Sequence, residues 1–112
     1  MAEQVTDHPD QERYEIDVDG VRGGFVQYLR GTNEIALIHT ETDPQFRGHG
    51  LGGHLIAAVL DEARQQGVAV LPYCPFARRY IAEHPAYTDL VPADRRAEFG
   101  LSKPGRPRAP GS

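Results

Sequence analysis

Phe46-Arg-Gly-His-Gly-Leu-Gly-Gly-His-Leu-Ile56 places four glycines within six residues and runs straight into an apolar-periodic segment. Glycine adopts positive φ at no steric cost and lets a ligand approach the backbone closely. A helix that begins in such a turn leaves its first N–H groups without internal partners and puts the positive end of its dipole there. Together these features make a site for an anion, with phosphate or pyrophosphate the natural occupant.

Downstream of the turn, apolar residues fall at Leu51, Leu55, Ile56, Val59, Leu60 and Ala63, with Asp61, Glu62, Arg64 and Gln65 on the other side. That spacing predicts a helix over 51–66 with one buried face, capped by Gly67 in the left-handed conformation. Val68–Pro72 reads as a buried strand, and a short helix over 76–83 follows, ended by Pro85. Upstream, Tyr14–Val18 and Val21–Leu29 flank Asp19-Gly20, the signature of a hairpin between antiparallel strands. Glu34–Thr40, with its central apolar run, reads as a third strand leading through Asp43-Pro44 to the turn. The resulting β-β-β-α-β-α order describes an α/β fold with a mixed sheet, its early strands antiparallel and its last strand reached by a helical crossover.

At 112 residues the chain has room for one core but not for two nucleotide-binding halves. Residues 1–91 are expected to form one domain whose first twelve or so residues are flexible. Residues 92–112 form an extension, and its end, Lys103–Ser112, reads as a disordered basic tail able to touch an acidic partner. A net charge of −4 argues against nucleic acid as a partner. No apolar run is long enough to span a bilayer. Met1–His8 lacks the basic-then-apolar pattern of a signal peptide, which makes a cytoplasmic location the expectation. Cys74 is the single cysteine, so neither an internal disulfide nor a cysteine-built metal site is expected.

Gly48, Gly50 and Gly53 satisfy the spacing of a dinucleotide-binding turn, but the strand ends several residues early and no acid for a ribose stands near Tyr73-Cys74. Gly48 to Gly53 also has P-loop spacing. There, however, His54-Leu55 occupies the place where triphosphate chemistry needs Lys and then Ser or Thr. A purely structural glycine-rich turn is the bland alternative.

What stands after these exclusions is an R-x-x-G-x-G turn, Arg47-Gly48-His49-Gly50-Leu51-Gly52, behind a central strand and opening a helix. It resembles the acetyl-coenzyme A signature of the GNAT acetyltransferase superfamily. The resemblance runs from about residue 35 to residue 91. His39-Thr-Glu41, Pro72-Tyr-Cys-Pro-Phe76 and His84-Pro-Ala-Tyr87 look like the minimal single-domain branch of that superfamily.

The resemblance implies an acyl-coenzyme A N-acyltransferase fold and an enzyme that moves acetyl from acetyl-coenzyme A to a primary amine of a small molecule or polypeptide by direct attack. No metal is implied. The cofactor pyrophosphate would lie on Arg47, Gly48, His49, Gly50, Leu51, Gly52 and Gly53. Its pantetheine arm would insert between strands splayed apart over 36–40 and 70–74. The resemblance thus brings in Ile38, His39, Thr40 and Cys74, with a backbone N–H near Ile38 or His39 polarising the thioester carbonyl. Phe76 reads as core or as a wall for the cofactor.

His39, or secondarily Glu41, is placed for base work, and histidine has a suitable pKa for it. Cys74 reads as a thioester contact, an acetylated intermediate or an inert buried thiol. Many GNAT proteins carry Asn near this place and then an acid tyrosine, a position that falls on Ile81 in this chain. Tyr80, one residue earlier, is the available phenol. His49 and His54 read as exposed loop and helix residues. The rival reading is a catalytically weak acyl-coenzyme A-binding or interaction module, since the chain is short of the loops that build an acceptor pocket. A structural partner that works through its basic tail is a weaker third.

Overall fold

The hairpin predicted at Asp19-Gly20 forms with both residues at positive φ, 50° and 85°, the backbone twist that suits a two-residue connection. It joins β2 (Arg13–Val18) to β3 (Val21–Gly31), and β4 (Glu34–Thr42) returns antiparallel beside β3. Helix α1 (Leu51–Gln66) then carries the chain over the sheet to β5 (Ala69–Pro72), which pairs parallel with β4. In this computed structural model, residues 2–101 are described.

Within the first twelve residues, expected to be flexible, a further strand forms. Glu3–His8 is β1, paired antiparallel with β2 along its whole length, so the sheet has five strands in the order β1-β2-β3-β4-β5. Val5 is its single aliphatic residue, so no alternation announces it. The backbone ladder holds it, together with polar ties: the Tyr28 hydroxyl donates to Asp7 at 2.6 Å, and Asp19 accepts the Ala2 N–H at 2.8 Å.

The core lies between the sheet and α1. Leu55, Ile56, Val59 and Leu60 of the helix are wholly buried with Tyr14, Ile16, Val26, Ile35 and Leu37 of the strands. Burying each such aliphatic side chain contributes about 1.5–3 kcal/mol, which is why periodicity located the helix so well. At the helix end Gly67 takes φ 70° and donates its N–H to the carbonyls of Ala63 and Arg64.

Helix α2 (Pro75–Glu83) has proline at its first position, where no N–H is needed. The chain past residue 91 also packs on the domain: the Phe99 ring meets that of Tyr73 edge-on at 5.2 Å, and Leu101 is buried. The expected disordered tail, 103–112, lies outside the described residues.

Candidate functional site

Two departures from regular pairing shape one end of the sheet. In β4, Tyr28 pairs with Leu37 and Gln27 with His39, which leaves Ile38 as the extra residue of a bulge. The β4–β5 ladder stops at the same point, with Leu37 opposite Pro72. One further bond, from the Cys74 N–H to the Leu37 carbonyl at 2.8 Å, closes it. A bulge bends its strand and ends regular pairing, so β4 beyond Leu37 diverges from β5. The second departure is in β3, where Gly23 is the extra residue between the Ile16 and Asp17 pairings. A methyl group on Gly23 would meet Leu51 Cδ1 at 2.6 Å. Sequence reading missed this glycine, whose role depends on a helix 28 residues on. It lets the start of α1 seat directly on the sheet.

The turn between β4 and α1 is built by Asp43, whose carboxylate caps a 3-10 turn at Pro44–Phe46 by accepting the Gln45 N–H at 3.0 Å. Those hydrogen bonds to Gln45 hold the Asp43 carboxyl below the usual range. Within the turn, the Arg47 N–H donates to the Pro44 carbonyl and the His49 N–H to the Phe46 carbonyl, both at 3.1 Å. These two residues therefore cannot offer backbone donors to a ligand, which corrects part of the donor set read from sequence. Gly48 and Gly50 take φ of 88° and 70°. Among the described residues, the N–H groups of Gly48, Gly50, Leu51, Gly52 and Gly53 have no acceptor; the ladder of α1 begins with the His54 N–H on the Gly50 carbonyl at 3.0 Å. Five free donors thus gather at the positive end of a sixteen-residue helix. The Arg47 guanidinium beside them has no ion-pair partner among the described residues.

Gly52 and Gly53 are helical and serve a different purpose from Gly48 and Gly50. A methyl at Gly52 would lie 2.5 Å from Phe76 Cζ, and one at Gly53 would lie 3.3 Å from Tyr80 Cε2. They allow two aromatic rings of α2 to lie directly over the first turn of α1. Phe76, still 42% exposed, walls a cleft of about 320 Å³ that contains the glycine turn, Thr42, Asp43 and Phe46. A second cleft, of about 260 Å³ and lined by Arg22, Phe25 and Glu41, shares Thr42, Asp43 and Pro44 with the first.

At the diverging strands, Thr40 Oγ1 and Cys74 Sγ share a hydrogen bond of 3.0 Å that spans the gap, with either able to donate. Cys74 is 2% exposed. His39 Nε2 meets Glu41 Oε2 at 2.8 Å on the solvent side, with the His39 ring edge-on to Phe25. The structure thus brings Thr40 to Cys74 and His39 to Glu41. Tyr80 belongs to neither pair: its ring lies on α1 and stacks on His84 at 4.0 Å. Burial, and then the charge of Asp61, raise the Tyr80 pKa and keep it a protonated phenol. Tyr87 is a packing residue whose hydroxyl donates to Asp61 at 2.9 Å. Among the described residues no three His, Cys, Asp or Glu side chains gather closely enough to hold a metal ion.

The model of the GCN5-related N-acetyl-transferase family matches residues 13–90. Among solved structures, a GCN5-like protein from Staphylococcus aureus matches with a TM-score of 0.62 at 23% identity, over 80% of this chain and 87% of its own. That likeness supports the fold. Ard1 from Thermoplasma volcanium matches at 25% identity and a TM-score of 0.48, over 55% of this chain and 43% of its own. The ribosomal-protein-S18-alanine N-acetyltransferase from Escherichia coli matches at 25% identity and a TM-score of 0.49, over 52% and 38%. No curated protein matches the chain.

Proposed function

Since this chain belongs to the GCN5-related N-acetyltransferase family, we propose that it binds acetyl-coenzyme A at the glycine turn and transfers the acetyl group to a primary amine. The observation that carries the reading is the set of free N–H groups at Gly48, Gly50, Leu51, Gly52 and Gly53, opening on the cleft walled by Phe76. Fixed donors at a helix N-terminus suit a pyrophosphate, and Arg47 adds a mobile cation. The thioester supplies an activated acetyl group.

In this reading the chain's own residues position and exchange protons. The β4 backbone past the Ile38 bulge lies on the edge where β5 pairing has ended, the place for a donor to the carbonyl on which charge develops. His39, held by Glu41, takes the proton from the acceptor ammonium. The amine nitrogen would then bond to the acetyl carbon as the carbon–sulfur bond breaks, and the proton shed by the new amide nitrogen would pass to the departing thiolate. The cleft beside Phe25 and Glu41 is the approach for the acceptor. A cytoplasmic location is part of the proposal.

Titration calorimetry with acetyl-coenzyme A tests the first step, with saturable one-to-one binding expected; folded protein that takes up none overturns the reading. A second reading, an acyl-coenzyme A-binding module with weak catalysis, draws on the packing of Tyr80 against Gly53 and His84, away from the Thr40–Cys74 pair. Release of free thiol in the presence of an amine and peptide panel supports the enzyme. Binding without thiol release supports the module.

A further inference from the structure

The second cleft opens where β3 carries no side chains, at Gly23 and Gly24, and is flanked by Phe25 and Glu41. These two are cross-strand partners on the face turned away from buried Val26. The Phe25 ring has a charged or titratable group on each side: the His39 ring at 6.2 Å, paired with Glu41, and the Arg22 guanidinium at 5.9 Å. The acids around the cleft are already engaged. Glu15 Oε2 accepts from Arg13 Nε and Nη2, both at 2.7 Å, and Glu15 Oε1 lies 3.3 Å from His8 Nε2. Asp43 accepts from the Gln45 N–H and side-chain amide, both at 3.0 Å. Asp17, the cross-strand partner of Arg22, forms no ion pair among the described residues. Arg22 makes no hydrogen bond among those residues; its one ion contact is Glu15 Oε2 at 3.6 Å, an oxygen that Arg13 already holds. Arg22 thus lines the cleft as a guanidinium with unfilled donors, backed by a carboxylate only 12% exposed and by an aromatic ring.

We infer that the acceptor is a small amine that also carries a carboxylate, an amino acid, and that Arg22 selects it by taking that carboxylate in its fork. The inference rests on the proposed transferase reading. A planar guanidinium meets a carboxylate with two parallel bonds, which a lone ammonium cannot do. With the carboxylate at Arg22, the amine lies toward His39 and Glu41 and the carbon skeleton runs along Phe25. The two charged ends of the cleft therefore match the two charges of an amino acid. A polyamine would set a second ammonium against Arg22. The N-terminal residue of a polypeptide has its carboxyl group locked in an amide and offers Arg22 no charge. At about 260 Å³ the cleft also has the size for a small molecule.

The experiment follows thiol release by the full chain at saturating acetyl-coenzyme A, with glycine, γ-aminobutyrate and lysine each compared with its carboxamide, and with spermidine and a peptide amide as further arms. The best acid should exceed its amide in kcat/KM by about 5- to 30-fold, the worth of a half-exposed, charge-assisted pair. Arg22→Gln should raise the KM for the acid and bring that ratio close to unity, and Arg22→Lys should keep part of it. The KM for acetyl-coenzyme A should not move in either variant. Arg22 is half-exposed, so both variants should fold. Equal use of acid and amide by wild type, a preference for spermidine or the peptide, or a wild-type ratio in Arg22→Gln overturns the assignment and leaves the transferase reading standing. Acetyl-coenzyme A binding without thiol release on any acceptor removes both.

Discussion

The two ends of α1 are built on opposite plans. Its C-terminal end is tied down: Gly67 closes the helix, Arg30 donates to Gln66 at 3.2 Å and to the Tyr14 hydroxyl at 2.8 Å, and Arg64 grips Asp89 with two bonds of 2.7 and 3.0 Å. At its N-terminal end five N–H groups have no acceptor among the described residues, and two aromatic rings lie over bare glycines. One helix is thus anchored by its satisfied end so that the other can keep its donors free. Orphan donors are tolerated where water or a ligand completes them, and their concentration at a single end marks where a ligand is expected.

The largest effect should come from filling the open end. Gly52→Ala puts a methyl 2.5 Å from Phe76 Cζ, so Phe76 must leave the cleft wall. Overpacking of this kind costs about 1–3 kcal/mol. Coenzyme A affinity, measured by calorimetry, should fall about 5- to 150-fold, in line with that energy, with a lowered melting temperature.

At the satisfied end the expected response is to alkali. Burial, and then the hydrogen bond to Asp7, push the Tyr28 pKa up to about 12, and burial raises that of Tyr14 still further. A phenol whose pKa is raised on folding binds its proton more tightly in the native state, so its contribution is complete below about pH 10. That contribution is lost as pH climbs from there through about 12. Denaturant titrations across this range should show stability falling, and Tyr28→Phe should fall less steeply. Tyr87, also raised to about 12 by burial and Asp61, adds to the same alkaline loss, so Tyr87→Phe should reduce the slope by its own share.

At neutral pH, Tyr28→Phe removes the 2.6 Å bond to Asp7 and should lower unfolding free energy by about 0.5–1.5 kcal/mol. The same variant should bind coenzyme A as wild type does, and altered affinity would show that the two ends are not independent. Arg64→Ala is expected to have the smallest effect. Its pair with Asp89 is half-exposed on both sides, so a melting curve should register about 0.5–1 kcal/mol at most.

The closed end was the more legible in sequence. The bounds of α1 and its Gly67 cap are local facts, decided by periodicity and positive φ within a few residues, and so is the Asp19-Gly20 hairpin near the other end of the helix. The free N–H groups where the glycine turn opens α1 were legible for the same reason. The division of labour among its glycines was not, because the rings that require Gly52 and Gly53 to be bare arrive 24 and 27 residues later. Strand β1 escaped because a ladder of backbone bonds leaves no mark on side-chain pattern when Val5 is its single aliphatic residue. The burial of Phe99 and Leu101 escaped because two apolar residues between a charged stretch and a proline-rich one make no period. The occupation of the His49 N–H by Phe46 could be found only from the turn's three-dimensional course.

The extra residue at Ile38 also fixes the parity of everything after it. Opposed residues of an antiparallel pair share a face, and the bulge sets His39 against Gln27, Thr40 against Val26 and Glu41 against Phe25. An uninterrupted β4 would exchange the roles of odd and even positions: His39 and Glu41 would turn inward, and Thr40 would turn away from Cys74. Deleting Ile38 itself would leave His39 opposite Gln27 and every side chain on its side, whereas losing one residue beyond it, between His39 and Glu41, would shift those that follow to the opposite face. This end of the strand is in that sense counted out rather than merely composed, and tolerance to insertions and deletions should be lowest between His39 and Thr42.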